Sequence, residues 1–63
     1  MNTDEIMYQI EGALDDDSRA YWLWIPREFR AQYADDVRRG ATTLERILQA
    51  VERWSADDMA EAI

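Results

Sequence analysis

The stretch of this chain whose residue types come nearest to a chemical site is Asp15-Asp16-Asp17-Ser18. Asp15 and Asp17 have the Asp-x-Asp spacing that opens a calcium loop, in which alternate carboxylates turn their oxygens onto one hard cation. The loop is not completed. Its sixth position is Ala20, where the tight turn requires glycine, and its twelfth is Pro26, where a bidentate glutamate should stand. The run reads instead as a helix start, because aspartate and serine side chains accept from the free N–H groups of a first turn. No metal and no cofactor are expected.

Covalent catalysis fares no better. The chain contains no His, no Cys and no Lys, so neither Ser18 nor Ser55 has a base to activate it, and both are read as helix caps. Carboxylates could do acid-base work, but fourteen acids among 63 residues make close neighbours inevitable. So short a chain offers no evident deep pocket in which to shift their pKa values. The expectation is a protein that is not an enzyme.

The remaining concentration of chemistry is aromatic. Residues 19–25 read Arg-Ala-Tyr-Trp-Leu-Trp-Ile and hold Tyr21 and two of the three tryptophans, Trp22 and Trp24. Trp, Tyr and Arg are enriched in binding hot spots, because they bury large area at little entropic cost and keep a polar handle. Tyr21, Trp22 and Trp24, with Arg27 and Arg30 alongside, are therefore candidate partner-binding residues. The competing reading is structural, since at least one indole should fill the core. In a helix, residues 22 and 24 point to different faces, which leaves the other exposed; in a strand they would share one.

Charge limits the partner. Fourteen acids face seven basic residues, all arginine, for a net charge of −7. Residues 1–25 carry −5, residues 26–54 carry +1 and residues 55–63 carry −3. Such a field repels nucleic acid and attracts cationic protein surfaces. The helices flanking Gly40 have the outline of a helix-turn-helix, with Glu45, Arg46, Gln49 and Arg53 where base-reading residues would stand; Glu45, Glu52 and the overall charge argue against that use. Direct nucleic-acid binding is not expected. The longest apolar stretch, Ala20 to Pro26, falls far short of the roughly 20 residues that cross a bilayer, and the first residues are acidic where a secretory signal is basic. A cytoplasmic protein without membrane contact is expected.

The elements that must position these residues are helical. Asn2 with Glu5 resembles a capping box ahead of Ile6, Met7, Ile10, Ala13 and Leu14, which predicts a first helix from about Thr3 to Leu14, its last turn weakened by Gly12. For the aromatic run two readings stay open: a short helix over Arg19–Trp24 capped by Ser18, or an extended segment running into Pro26. Phe29, Tyr33 and Val37 mark the apolar stripe of a helix from about Pro26 to Arg39, which Gly40 stops. Thr42 with Glu45 predicts a cap for a helix from about Thr43 to Trp54, with its stripe at Leu44, Ile47, Leu48, Val51 and Trp54. Ser55 with Asp58 repeats the pattern and predicts a separate short terminal helix containing Met59, Ala60 and Ile63.

The fold class expected is all-α: one small helical bundle over residues 1–63, with three main helices, a short C-terminal helix and an aromatic connector. So short a chain is marginal alone, and without cysteine it has no disulfide, so a homodimer is expected. The leading functional expectation is a small acidic inhibitor or regulator that occupies a basic surface of another protein. Asp15, Asp16 and Asp17, with Asp57, Asp58 and Glu61, would supply phosphate-like charge, and the aromatic run an anchor. In size and charge the chain is similar to small phage-encoded inhibitors, anti-CRISPR proteins among them. The alternatives are an antitoxin-like homodimer or adaptor that uses the aromatic run as its own interface, and, more weakly, a helix-turn-helix regulator.

Overall fold

The computed structural model describes residues 2–61, in which four helices follow one another: α1 (Thr3–Ala13), α2 (Asp16–Trp24), α3 (Arg27–Arg38) and α4 (Leu44–Glu61). No strand occurs among the described residues. α1 packs chiefly on α3 and α2 chiefly on α4, with α1 also touching α4, in a molecule 38 × 18 × 17 Å.

Three of the four helices begin on the same device, a side-chain oxygen accepting the N–H three residues on. Asn2 Oδ1 accepts from Glu5 N at 2.8 Å, Asp15 Oδ1 from Ser18 N at 2.8 Å, and Thr43 Oγ1 from Arg46 N at 3.2 Å. Each satisfies one of the donors that a first turn leaves free. Two expected caps therefore move, the first by three residues and the second by one: Asp15 rather than Ser18 starts the aromatic helix, and Thr43 rather than Thr42 starts α4. The extended reading of the aromatic run is overturned, because starting at Asp15 gives α2 enough length to put Ser18, Trp22 and Ile25 on one buried face.

α3 ends as its glycine predicts. Gly40 has φ +81°, its N–H donates to Val37 O at 3.1 Å, and Ala41 N–H donates to Asp36 O at 2.9 Å. This is the paired-bond ending that a left-handed residue permits. The ends of α1 and α2 are closed differently, by arginines reaching back from the following helix. Arg19 donates through Nε to Glu11 O (2.8 Å) and through a terminal nitrogen to Leu14 O (2.7 Å), and Arg30 Nε donates to Ile25 O at 2.9 Å. A guanidinium fork suits two carbonyls at once, and its charge complements the negative helix end.

The core comprises Ile6, Met7, Ile10, Leu14, Trp22, Ile25, Ala34, Ile47 and Val51. Trp22, at 0% exposure, lies 6.3 Å from the Tyr33 ring, which lies 5.8 Å from that of Trp54, so aromatic contacts tie α2, α3 and α4 together. The stripe expected on α3 is displaced: Phe29 is exposed, and Ala34 supplies the buried position, with Ala31, Tyr33 and Val37 packed beside it. Ala13 on α1 is exposed as well.

The separate terminal helix is not found. α4 runs unbroken through Ser55, which is buried and caps nothing. Ser18 on α2 is equally buried, and the two serines line one depression between the helices. Small side chains at these positions let α2 and α4 approach, and that packing overrides the local tendency of a Ser-x-x-Asp sequence to begin a new helix. Ile63 lies outside the described residues.

Candidate functional site

α2 presents two stripes. Ser18, Trp22 and Ile25 face the core, while Asp17, Ala20, Tyr21 and Trp24, at the i, i+3, i+4, i+7 spacing of a second face, line a groove against α4. The opposite wall is Ser55, Asp58 and Met59, and the groove has a volume of about 510 Å³. Trp24 is 76% exposed and its ring centroid is 6.0 Å from that of Tyr21 at an interplanar angle of 40°. Met59 is also largely exposed, so the lining offers an indole, a phenol and a thioether to solvent.

Two smaller depressions extend this seam. One is bounded by Asp15, Asp17, Ser18, Glu52 and Ser55, and the other by Tyr21, Trp54, Asp57, Asp58 and Glu61. Every ionisable side chain lining the three, apart from the Tyr21 phenol, is a carboxylate. The fold thus brings Asp15 and Asp17, from the start of α2, to the same seam as Asp57, Asp58 and Glu61, from the end of α4. Asp16 is directed elsewhere and pairs with Arg19 at 3.1 Å. The Asp15 carboxyl is held below the usual carboxylate range, first by the Ser18 N–H and then by the Ser18 hydroxyl; desolvation opposes them, and the charge of Arg19 adds the weakest contribution.

The helix ends sharpen this electrostatic picture. Asp57, Asp58 and Glu61 occupy the C-terminal part of α4, where backbone carbonyls already concentrate negative charge, and the last turn has no basic residue. The separate helix expected from Ser55 would have placed Asp57 and Asp58 at a favourable N-terminal end. In the continuous helix they stand at the unfavourable end, with no basic residue in its last turn.

The remaining candidate contact residues are distributed differently. Trp22 is enclosed by the core, so a partner docking on the folded chain does not reach it. Arg30 is engaged in closing α2, and Arg27 faces Asp4 at 3.4 Å; both line a depression between α1 and α3 with Met7, Tyr8 and Glu11. What residue types alone did not reveal is Met59 as the apolar wall opposite Trp24.

Among the described residues no cluster of His, Cys, Asp or Glu has the geometry of a metal site, and no helix is long and apolar enough to cross a membrane. The helices flanking Gly40 do not pack as a recognition pair: the main neighbour of α3 is α1, and that of α4 is α2. No protein-family model, curated protein or solved structure matches the chain.

Proposed function

We propose that this chain is a small acidic contact protein that inhibits or regulates another protein by covering a basic surface of it with the α2–α4 seam. The observation that carries the reading is the position of Trp24: an indole left 76% exposed in a groove whose charged lining is wholly acidic. An exposed indole supplies the area of a hot spot, and the surrounding carboxylates select a cationic partner and speed its approach. Where that partner's surface normally holds phosphates, the carboxylates compete for the same arginines and lysines.

The test is affinity capture from an extract of the cell in which the protein acts, run in parallel with the parent chain and with Trp24→Ala and Asp17→Asn/Asp58→Asn variants. The reading requires a protein that the parent retains, that both variants lose, and that elutes as salt rises from 0.1 to 0.5 M, where exposed charges are progressively screened. A partner held equally by parent and variants overturns it.

A homodimer is the second reading, favoured by the exposure of Leu23 and Phe29 outside the groove. Two copies meeting groove to groove would oppose like charges, so this dimer would form through Leu23 and Phe29 instead. Sedimentation of the parent and of a Leu23→Ser/Phe29→Ser variant decides it: a dimer that the double change dissociates supports the reading, and a monomeric parent removes it.

A further inference from the structure

We infer that the groove takes an arginine side chain from a basic segment of the partner protein, its guanidinium lying on the Trp24 indole between the carboxylates of Asp17 and Asp58. This rests on the contact reading above and names the group that the site recognises. Three independent features converge on it.

The first is the lining. Aromatic faces attract cations, and Trp24 is the exposed indole of the seam, with Tyr21 tilted beside it. The second is charge left over at the helix end. Asp57, Asp58 and Glu61 add negative charge where the α4 carbonyls already carry it, and none of the chain's own arginines lines any of the three depressions. Arg19, two residues from Asp17, is committed to Glu11 O, Leu14 O and Asp16, and Arg53, one turn before Asp57 on α4, lines none of the three. A cation from outside the molecule is what this region lacks.

The third is the groove's form, which selects between cations. It is an open cleft, so a lysine ammonium would have to give up strongly held water for contacts made on only one side. A guanidinium is planar and more weakly hydrated. It stacks on an indole while its edges donate to carboxylates on either side, and Asp17 and Asp58 stand on opposite walls of the same groove as Trp24. The small residues Ala20 and Ser55 keep the space open. A volume of about 510 Å³ exceeds one side chain, so the arginine arrives as part of a segment whose neighbouring residues fill the rest.

The experiment titrates the ¹⁵N-labelled protein with hexa-arginine and hexa-lysine peptides at 0.15 M salt and follows the indole N–H resonances. Hexa-arginine should bind about fivefold more tightly than hexa-lysine, moving the Trp24 resonance while that of enclosed Trp22 stays in place. Trp24→Phe should keep the preference, and Trp24→Leu, apolar but without a π face, should bind the two peptides alike. Equal affinities on the parent, or a preference that persists in Trp24→Leu, overturn the arginine assignment. If both peptides bind equally and Asp17→Asn/Asp58→Asn weakens both, the cationic contact surface stands and only the arginine preference fails. If neither peptide binds the parent, the contact reading itself falls with it.

Discussion

Trp22 and Trp24, two residues apart on α2, have opposite fates: the first is completely enclosed and the second is 76% exposed. A helix turns two residues through about 200°, so a core that needs one of these indoles must present the other to solvent. Replacing Trp24 with alanine should therefore change stability by no more than about 0.5 kcal/mol, as for most surface substitutions. The same variant should emit at shorter wavelength than the parent, since enclosed Trp22 and partly buried Trp54 would remain as its fluorophores. An emission maximum unchanged by the substitution would place Trp24 inside the molecule and contradict the groove.

Trp22 should behave in the opposite way. Truncation to alanine in a closed core costs about 3–5 kcal/mol, comparable with the whole stability that a core of this size supplies, so Trp22→Ala should be unfolded at room temperature. Trp22→Phe should fold. The Trp22 Nε1–H is buried without a hydrogen-bond partner, so its removal relieves a desolvation cost of about 1–3 kcal/mol and offsets part of the lost ring volume. Urea titration of the two variants checks the contrast, and a Trp22→Phe protein as unstable as Trp22→Ala would contradict it.

The glycines give a pair of predictions with opposite signs. Gly12 lies within α1 and a methyl added there meets no atom within 4 Å, so Gly12→Ala should stabilise the fold by about 0.5–1 kcal/mol. Gly40 has φ +81°, where an L side chain crowds the following carbonyl, and Gly40→Ala should cost about 1–2 kcal/mol although space is open there too. Thermal melts of both variants measure the two signs.

Most of the helical framework was legible from local patterns, because apolar spacing and capping residues act within one or two turns. Asn2, Gly40 and the buried positions Ile6, Met7, Ile10 and Leu14 are such cases, and so is the divergence of residues 22 and 24. The seam was not legible. It depends on α2 packing beside α4, which brings Asp17 to Asp58 across some forty residues of sequence, and no local rule encodes that pairing. Ser55 shows why: its cap pattern is real, yet its burial against α2 determines its role. Arg19 and Arg30 were equally hidden, since closing a helix from the next one requires the corner between them to be built first.

Acid should act on two carboxylates in particular. Asp15 is held low by Ser18 and Arg19, and Asp35 by the Arg38 hydrogen bond and then by the charges of Arg38 and Arg39. A carboxyl with a depressed folded-state pKa contributes stability that is present above its unfolded value and lost as pH falls through its folded value. The melting temperature of the parent should therefore fall below about pH 4 more steeply than that of an Asp15→Asn/Asp35→Asn variant. The amide at position 15 can still accept from the Ser18 N–H but no longer titrates. Parallel curves for the two proteins would show that neither carboxylate matters to acid stability.

The end of α4 should display a conflict between stability and binding at a single residue. Asp58 stands in the last turn of the helix, beside carbonyls of like sign, and it also lines the groove with Trp24. Neutralising it as Asp58→Asn should raise the stability of the isolated protein by about 0.3–1 kcal/mol, the usual scale of a charge against a helix end at low ionic strength. The same change should weaken a cationic partner or a hexa-arginine peptide, and both effects should shrink together as salt rises, because both are electrostatic and exposed to solvent. Asp4 is a suitable control: it lies in the first turn of α1, where negative charge is favourable, and it lines the α1–α3 depression rather than the groove. Asp4→Asn should lower stability slightly and leave peptide binding unchanged. If Asp58→Asn instead destabilises the chain, Asp58 has a favourable contact in the isolated molecule, and a seam held in readiness for an external cation loses its electrostatic basis.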